Sequence, residues 1–299
     1  MKKKIILDTD MYNEIDDRFA LVYLMNSIES FDLEAITIAP FSGSGYADTK
    51  TIEEGTNKSY DTTIELLTLL NKNEYKNKVY KGATEYSFNS QSENPATNKI
   101  IEIALKNEKT TILAIGAPTN IALAIEKCKE IEKKIEVIWL GGNSFLSKDN
   151  NELNFRQDIK SVKTLFNSNV ELVVIPCRNV ASNLTTTIYE LSNYLNKNTK
   201  LNKYLLEIFK SCKKNYYKNE KDGYGSSKTL WDLSVIAYLI NKNWFEEKVF
   251  SAPEILLDGT YKITKNKRQI TFVTDLYRNK IYRDFFIKLE NFNKEEEFI

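Results

Sequence analysis

The sequence contains no histidine among its 299 residues. Histidine is the commonest general acid or base near neutral pH and the commonest zinc ligand. The three cysteines, Cys128, Cys177 and Cys212, are far apart and form no CxxC or related spacing. Neither a disulfide framework nor a zinc site is therefore expected, and a reducing cytoplasm is the expected location. Any catalysis must rely on carboxylates, metal ions or tyrosines.

The chain also lacks a long apolar run and a strong charge of either sign. The apolar start, residues 5–7, is interrupted by Asp8 and Asp10, too early for a secretory signal. No later stretch is long enough to span a membrane. Lysine and arginine number 42 against 41 aspartates and glutamates. This balance predicts neither a nucleic-acid nor a membrane partner, whereas a small neutral ligand fits it.

Apolar side chains are plentiful enough for a core of several layers, since 42% of the residues are hydrophobic. The length fits one large α/β domain, and we expect residues 1–299 to form it. Short Ile- and Val-rich runs alternate with amphipathic stretches, which is typical of an open, mostly parallel sheet flanked by helices. The predicted strands are residues 4–8, 34–39, 111–115, 136–140, 171–175, 254–257 and 269–273.

Amphipathic stretches between and after these strands predict the helices. The predicted helices are residues 17–27, 61–70, 97–106, 120–127, 161–167, 189–195, 201–217, 230–241 and 278–291. Two polar segments, residues 42–59 and 213–228, are predicted to be long loops. Loops of this length inside a compact domain tend to cover functional sites.

Four aspartates, Asp8, Asp10, Asp16 and Asp17, follow the first predicted strand within ten residues. In open α/β sheets, ligands bind at the carboxyl ends of the strands. A single aspartate at a helix start is explained by capping of free N–H groups. Four carboxylates so close together repel one another, and a bound cation offsets that repulsion. Hard oxygen ligands of this kind indicate Ca²⁺ or Mg²⁺.

The stretch 8–10, Asp-Thr-Asp, with 14–17, Glu-Ile-Asp-Asp, resembles the amino-terminal signature of the inosine-uridine nucleoside hydrolase family. Further stretches agree in order and spacing: GAPTN at 116–120, LGGN at 140–143, ELNFRQD at 152–158 and Trp231-Asp232. The resemblance covers nearly the whole chain. It implies the fold of that family and an enzyme that hydrolyses nucleosides to ribose and free base.

The resemblance also implies a role for each matching position. Asp10 would bind Ca²⁺ and accept a proton from the attacking water, while Asp17, Asp232 and the backbone carbonyl of Ile115 would be the other metal ligands. Asp8 would orient the loop. The residues implied to bind the ribose hydroxyls are Asp16, Glu152 and Asn154, and Asn143 is a further candidate. A homodimer or homotetramer is implied as well.

Three features depart from the family's common pattern. The loop between Asp10 and Asp16 is longer by two residues, and residues 38–42 contain no asparagine where many members have one. Trp231 replaces the histidine that precedes the last metal aspartate in many members. Departure of the base must then be helped by other means, such as an aromatic ring of Trp231, Tyr217 or Tyr224 stacked on it.

Two alternatives compete with nucleoside hydrolysis. An apolar strand that ends in Asp-x-Asp also opens phosphohydrolases of the haloacid dehalogenase type, in which Asp8 would be the nucleophile and Asp10 the acid and base. That interpretation leaves Asp16 and Asp17 unexplained. The other alternative is a protein of the same fold that binds nucleosides or sugars without turnover.

Overall fold

The computed structural model describes residues 2–43, 47–86, 93–147, 149–195, 198–212, 226–265 and 268–296. The strands are β1 (Lys3–Thr9), β2 (Phe31–Ile38), β3 (Val79–Lys81), β4 (Thr110–Ala114), β5 (Ile135–Leu140), β6 (Glu171–Ile175), β7 (Thr185–Thr186), β8 (Lys228–Thr229), β9 (Phe245–Ser251), β10 (Glu254–Ile255), β11 (Tyr261–Lys262) and β12 (Gln269–Leu276). The α-helices are α1 (Asp16–Met25), α2 (Ile52–Leu69), α3 (Pro95–Lys106), α4 (Thr119–Lys127), α5 (Leu153–Gln157), α6 (Ile159–Asn167), α7 (Ile188–Tyr194), α8 (Lys200–Ser211), α9 (Leu233–Ile240) and α10 (Arg278–Glu296).

Eight strands form one central sheet in the order β3-β2-β1-β4-β5-β6-β12-β9. All neighbouring pairs are parallel except β9, which runs antiparallel to β12. The predicted fold class, an open and mostly parallel sheet flanked by helices, is confirmed. Strands from both ends of the described chain lie in this sheet, which agrees with the expected single domain.

Side chains of the central strand β1 alternate between two apolar layers. Ile5 and Leu7 point into one layer and Ile6 into the other, as successive residues of a strand do. Helices α1, α9 and α10 pack together on the first face, and α3, α4 and α6 on the second. No helix in the described part of the chain is long and apolar enough to cross a membrane.

The strands that follow β1, namely β2 and β3, lie on one side of it, and β4 lies on the other side. The strand order therefore reverses between β1 and β4. Their carboxyl ends open a crevice of the kind that binds ligands in such sheets. Asn120 at the start of α4 closes the bottom of this crevice. Its amide nitrogen donates to Asp8 Oδ1 at 3.0 Å and to the Ile38 carbonyl at 2.9 Å, and its Oδ1 accepts from the Ala83 N–H at 3.0 Å.

Several sequence predictions about individual elements were wrong. The short β3 and the edge strand β9 were missed, because β3 has three residues and β9 exposes charged side chains. The strand predicted over residues 254–257 is shorter, since β10 ends at Ile255, and it pairs with β11 in a separate two-stranded sheet. The loop predicted over 42–59 ends early, because Thr51 caps α2 by accepting from the Glu54 N–H. The predicted loop 213–228 and the end of the helix predicted over 201–217 lie mostly outside the described residues.

We predict that Asn120→Ala lowers the free energy of unfolding by about 3 kcal/mol, because it leaves several buried backbone and carboxylate groups without partners. Urea titration followed by circular dichroism measures this change. The control is Asn57→Ala, since Asn57 accepts a hydrogen bond from Lys81 Nζ at an exposed position. It should change stability by no more than about 0.5 kcal/mol. Equal effects of the two variants would contradict the role given to Asn120.

Candidate active site

A cavity of about 380 Å³ lies in the crevice at the carboxyl ends of the strands. The sequence indicated a set of side chains and one backbone carbonyl as the site, and all of them line this cavity. They are Asp10, Asp16, Asp17, Ile115, Asn143, Glu152, Asn154, Trp231 and Asp232. The structure thus brings them together from both ends of the chain, while their individual roles stay predictions.

Three buried carboxylates form the wall of the cavity beneath α1 and α9. Asp16 and Asp17 stand in the first turn of α1, and Asp232 immediately precedes α9. Each offers an oxygen that lies within 4.8 Å of the others. Asp232 makes no side-chain hydrogen bond that caps α9, so capping does not explain its place. Carboxylates held this close and out of water suit a hard divalent cation.

Asp10 lines the same cavity but stands outside this group of three. Its Oδ2 accepts from Asn13 Nδ2 at 2.6 Å, and its carbonyl accepts from the Asn13 N–H at 2.7 Å. Both contacts come from the loop between Asp10 and Asp16. Gly116 permits close approach on the other side, since a Cβ there would lie 3.3 Å from Asp10 Oδ1 and 2.7 Å from Ala39 Cβ. Asp10 is therefore fixed by its neighbours before any ligand binds.

Burial and mutual repulsion raise the pKa values of these acids. Burial is the largest cause for Asp17, whose pKa rises to about 7, and the charge of Asp16 adds to it. Burial followed by the Asp17 charge raises the pKa of Asp10, and burial followed by the Asp16 charge raises that of Asp232. The opposing contact is the Thr9 hydroxyl, which donates to Asp17 Oδ1 at 2.5 Å. A cation among these carboxylates would relieve the repulsion and keep them ionised.

Asn154 and Glu152 meet the cavity from the start of α5. Asn154 Nδ2 donates to the carbonyls of Ile115 and Leu140, at 3.1 and 3.0 Å. The Ile115 carbonyl keeps a second lone pair for another partner. Glu152 caps α5, because its carboxylate accepts from the N–H groups of Asn154, Phe155 and Gly142 at 2.8–2.9 Å. Capping and ligand binding are compatible, since a carboxylate accepts several hydrogen bonds.

Asn143 and Trp231 lie at other parts of the wall. The Asn143 side chain donates to the Asp149 carbonyl at 2.9 Å and accepts from the Arg178 N–H at 3.2 Å, so it mainly holds the loop. Trp231 is half-buried beside Asp232. The N–H groups of Trp231 and Asp232 both hydrogen-bond to the Asp16 carboxylate. Tyr217 and Tyr224, the other aromatics considered for the base, lie outside the described residues.

Asp8 is fully buried behind the cavity and does not line it. Its Oδ1 accepts from Thr37 Oγ1 at 2.6 Å and from Asn120 Nδ2 at 3.0 Å. Burial raises its pKa to about 6, against the effect of these donors. A carboxylate in this position orients the end of β1 and cannot reach a phosphoryl group in the cavity. The structure therefore argues against the phosphohydrolase alternative.

Sequence reasoning missed Glu14, Cys177 and Lys228. Glu14 and Cys177 line the cavity, and Lys228 pairs with Glu14. The Cys177 thiol hydrogen-bonds to Glu152, and burial raises its pKa far above the ordinary value. Lys228 and Cys177 belong to no recognisable spacing. Glu14 lies in the stretch that resembles the family signature, but the resemblance implied roles for its neighbours Asp16 and Asp17 and none for Glu14.

Comparison with known proteins gives a consistent result. Residues 5–283 match the family described as "Inosine-uridine preferring nucleoside hydrolase". The chain is 29% identical over 117 residues to "Probable uridine nucleosidase 2" of Oryza sativa subsp. japonica, covering 38% of this chain and 30% of that protein. It is 24% identical over 234 residues to the Arabidopsis thaliana protein of the same name, covering 69% of each.

The fold has a close counterpart among solved structures. The structure of "Purine-Preferring Ribonucleoside Hydrolase from Gardnerella vaginalis" superposes with a TM-score of 0.75 at 21% identity. The superposition covers 98% of this chain and 99% of that one. Because the family match spans nearly the whole sequence, the chain belongs to the inosine-uridine preferring nucleoside hydrolase family, whose members are hydrolases of N-glycosyl bonds.

Proposed function

We propose that this protein hydrolyses the N-glycosidic bond of ribonucleosides to ribose and free base. The observation that carries the proposal is the buried group of Asp16, Asp17 and Asp232 beside Asp10 in one cavity at the strand ends. The cavity of about 380 Å³ falls in the size range of small-molecule sites. Release of ribose from uridine or inosine, without release of phosphate from a nucleotide, tests it.

The donor set fits a calcium ion. Every ligand is an oxygen atom, and the acids repel one another in the absence of a cation. We assign the ligands as Asp10, Asp17, Asp232 and the Ile115 carbonyl, with Asp16 next to them on the sugar side. The bound cation would supply a Lewis acid that lowers the pKa of water.

Asp10 acts as the general base in this proposal. The Asn13 amide holds one of its oxygens, at 2.6 Å, and the other faces Gly116. The carboxylate accepts the proton of the water that attacks the anomeric carbon, which should invert that centre. Positive charge develops on the sugar during this step, and the ring of carboxylates stabilises it.

The sugar is oriented by polar groups on both sides of the cavity. Asp16 has one buried oxygen, Oδ1, with no hydrogen-bond partner among the described residues, and it can accept from a ribose hydroxyl. Asn154 and Glu152 offer further partners on the opposite wall. Orientation of this kind removes much of the entropic cost of the reaction. We place the base against Trp231, and we propose a cytoplasmic homodimer or homotetramer.

We predict that the protein purifies with about one divalent cation per chain, because the acids need a counter-charge. Elemental analysis by mass spectrometry measures the metal content before and after chelation. Asp232→Asn should lower that content, whereas Asp258→Asn, at an exposed turn, should not. Ribose release should vanish on chelation and return with Ca²⁺. Undiminished ribose release from fully metal-free protein would show the assignment to be wrong.

We predict that Asp10→Asn lowers kcat by a factor on the order of 10²–10⁴, because an amide cannot take the proton of water. Nucleoside binding should persist, since the amide occupies the same space. Steady-state kinetics and calorimetric titration with uridine separate the two effects. Asn13→Ala is the matched variant and should cause a smaller loss, because it frees the Asp10 carboxylate without removing it. Near-normal kcat in Asp10→Asn would exclude Asp10 as the base.

We predict that p-nitrophenyl riboside is hydrolysed far faster than inosine or uridine. A purine or pyrimidine leaves with negative charge on a ring nitrogen, and the chain has no histidine to protonate it. The nitrophenyl group needs no proton. Measurement of kcat for the three substrates tests this prediction, and equal rates would reveal an unidentified proton donor. If Trp231 stacks on the base, Trp231→Ala loses activity on nucleosides and keeps it on the nitrophenyl riboside. Unchanged rates on both would exclude stacking.

A further inference from the structure

A buried ion pair joins the two chain segments that carry the cavity acids. Lys228 Nζ donates to Glu14 Oε2, and the two side chains are 0% and 13% exposed. Glu14 belongs to the loop that leads into α1, and Lys228 to the strand that leads toward Asp232. Lys228 is the one lysine or arginine that is buried among the residues the structure describes. Burial of two charges costs desolvation free energy, and their attraction offsets that cost only where the geometry of the pair is good.

The backbone of Lys228 is firmly held on the side away from the cavity. Strand β8 pairs with β7, where Lys228 faces Thr186. The adjacent carbonyls of Leu184 and Thr185 accept from α10, from the Tyr282 hydroxyl at 2.8 Å and Arg278 Nε at 3.0 Å. Lys228 therefore connects the loop that carries Glu14 with the β7–β8 pair, next to which α10 is hydrogen-bonded.

Asp16 follows Glu14 by two residues in the chain, and the charge of Lys228 acts on its carboxylate. Burial alone would lower the pKa of Lys228, but the charges of Asp16 and Glu14 raise it well above its ordinary value. The N–H groups of Trp231 and Asp232 also bind the Asp16 carboxylate. Two N–H groups of the turn before α9 thus bind Asp16, and the charge of Lys228 favours its ionised form. Its buried Oδ1 has no partner in the described part of the chain.

We propose that Lys228 is a positioning residue whose ion pair with Glu14 holds Asp16 in place for a ribose hydroxyl and so sets the affinity for the sugar. This inference rests on the proposed function, because it assumes that ribose occupies the cavity. Removal of Lys228 leaves the Glu14 carboxylate buried and unpaired beside Asp16, and repulsion then displaces the loop. Removal of both charges relieves that repulsion.

The experiment compares Lys228→Met, Glu14→Gln and the double variant with wild type. The control is Lys3→Met, which breaks a pair with the buried Glu136 at the amino end of the sheet. Each is assayed for kcat and KM on uridine. In the Asp10→Asn background, calorimetry gives the dissociation constant of uridine without turnover, and a separate titration of metal-free protein gives that of Ca²⁺.

Lys228→Met should raise KM and the uridine dissociation constant by about tenfold or more, with kcat changed by less than about threefold. Calcium affinity should not fall, because loss of a positive charge favours a cation. The double variant should recover most of the uridine affinity, as coupled residues do. If Lys228→Met does not fold, Glu14→Gln must still bind uridine more weakly than Lys3→Met, and the double variant must bind it no more weakly than Glu14→Gln.

The proposal is overturned if Lys228→Met binds uridine like Lys3→Met. It is also overturned if the losses of uridine affinity in the two single variants simply add up in the double variant. A fall in melting temperature alone, with normal uridine affinity, would show a merely structural pair. Failure of the proposed function is distinguishable, since wild type would then release no ribose. In that case the uridine dissociation constants of the variants would still test the role of Lys228. A wild-type protein that binds no uridine would exclude both the proposed function and the role given to Lys228.

Discussion

Burial of several carboxylates close together is the constraint that shapes this end of the molecule. Asp10, Asp16, Asp17 and Asp232 all have raised pKa values, with burial as the first cause. Three of the four have a compensating contact: Asn13 for Asp10, Thr9 for Asp17 and backbone N–H groups for Asp16. These contacts reduce the cost of burial without filling the cavity, and the remaining negative potential suits the cation and the electron-poor sugar of the proposed reaction.

The geometry of these acids depends on helix packing as much as on the strands. Asp16 and Asp17 belong to α1, Asp232 precedes α9, and the two helices pack side by side with α10 on one face of the sheet. The first turn of α1 and the turn before α9 therefore cannot shift independently. A substitution in this apolar layer, far from the cavity, would move one acid relative to another. Core packing and site geometry are thus one property of this fold.

Much of the fold and the location of the site could be predicted from sequence, because both rest on local patterns. An apolar run that ends in aspartate predicted β1. The ordered motifs predicted a set of site residues, and all of these line one cavity. β9 could not be found, since an edge strand with exposed charges has no apolar run. Lys228 could not be paired with Glu14, because the two are 214 residues apart and no spacing rule connects them.

An active site built from carboxylates without histidine places different demands on the two halves of the reaction. On the sugar side, positive charge develops, and the surrounding acids stabilise it directly. On the base side, negative charge develops, and the same acids oppose it. The half-buried Trp231 lines the cavity beside Asp232. If the base lies against Trp231 as proposed, the aromatic ring would separate it from the carboxylates, and the tryptophan would then have an electrostatic role besides stacking.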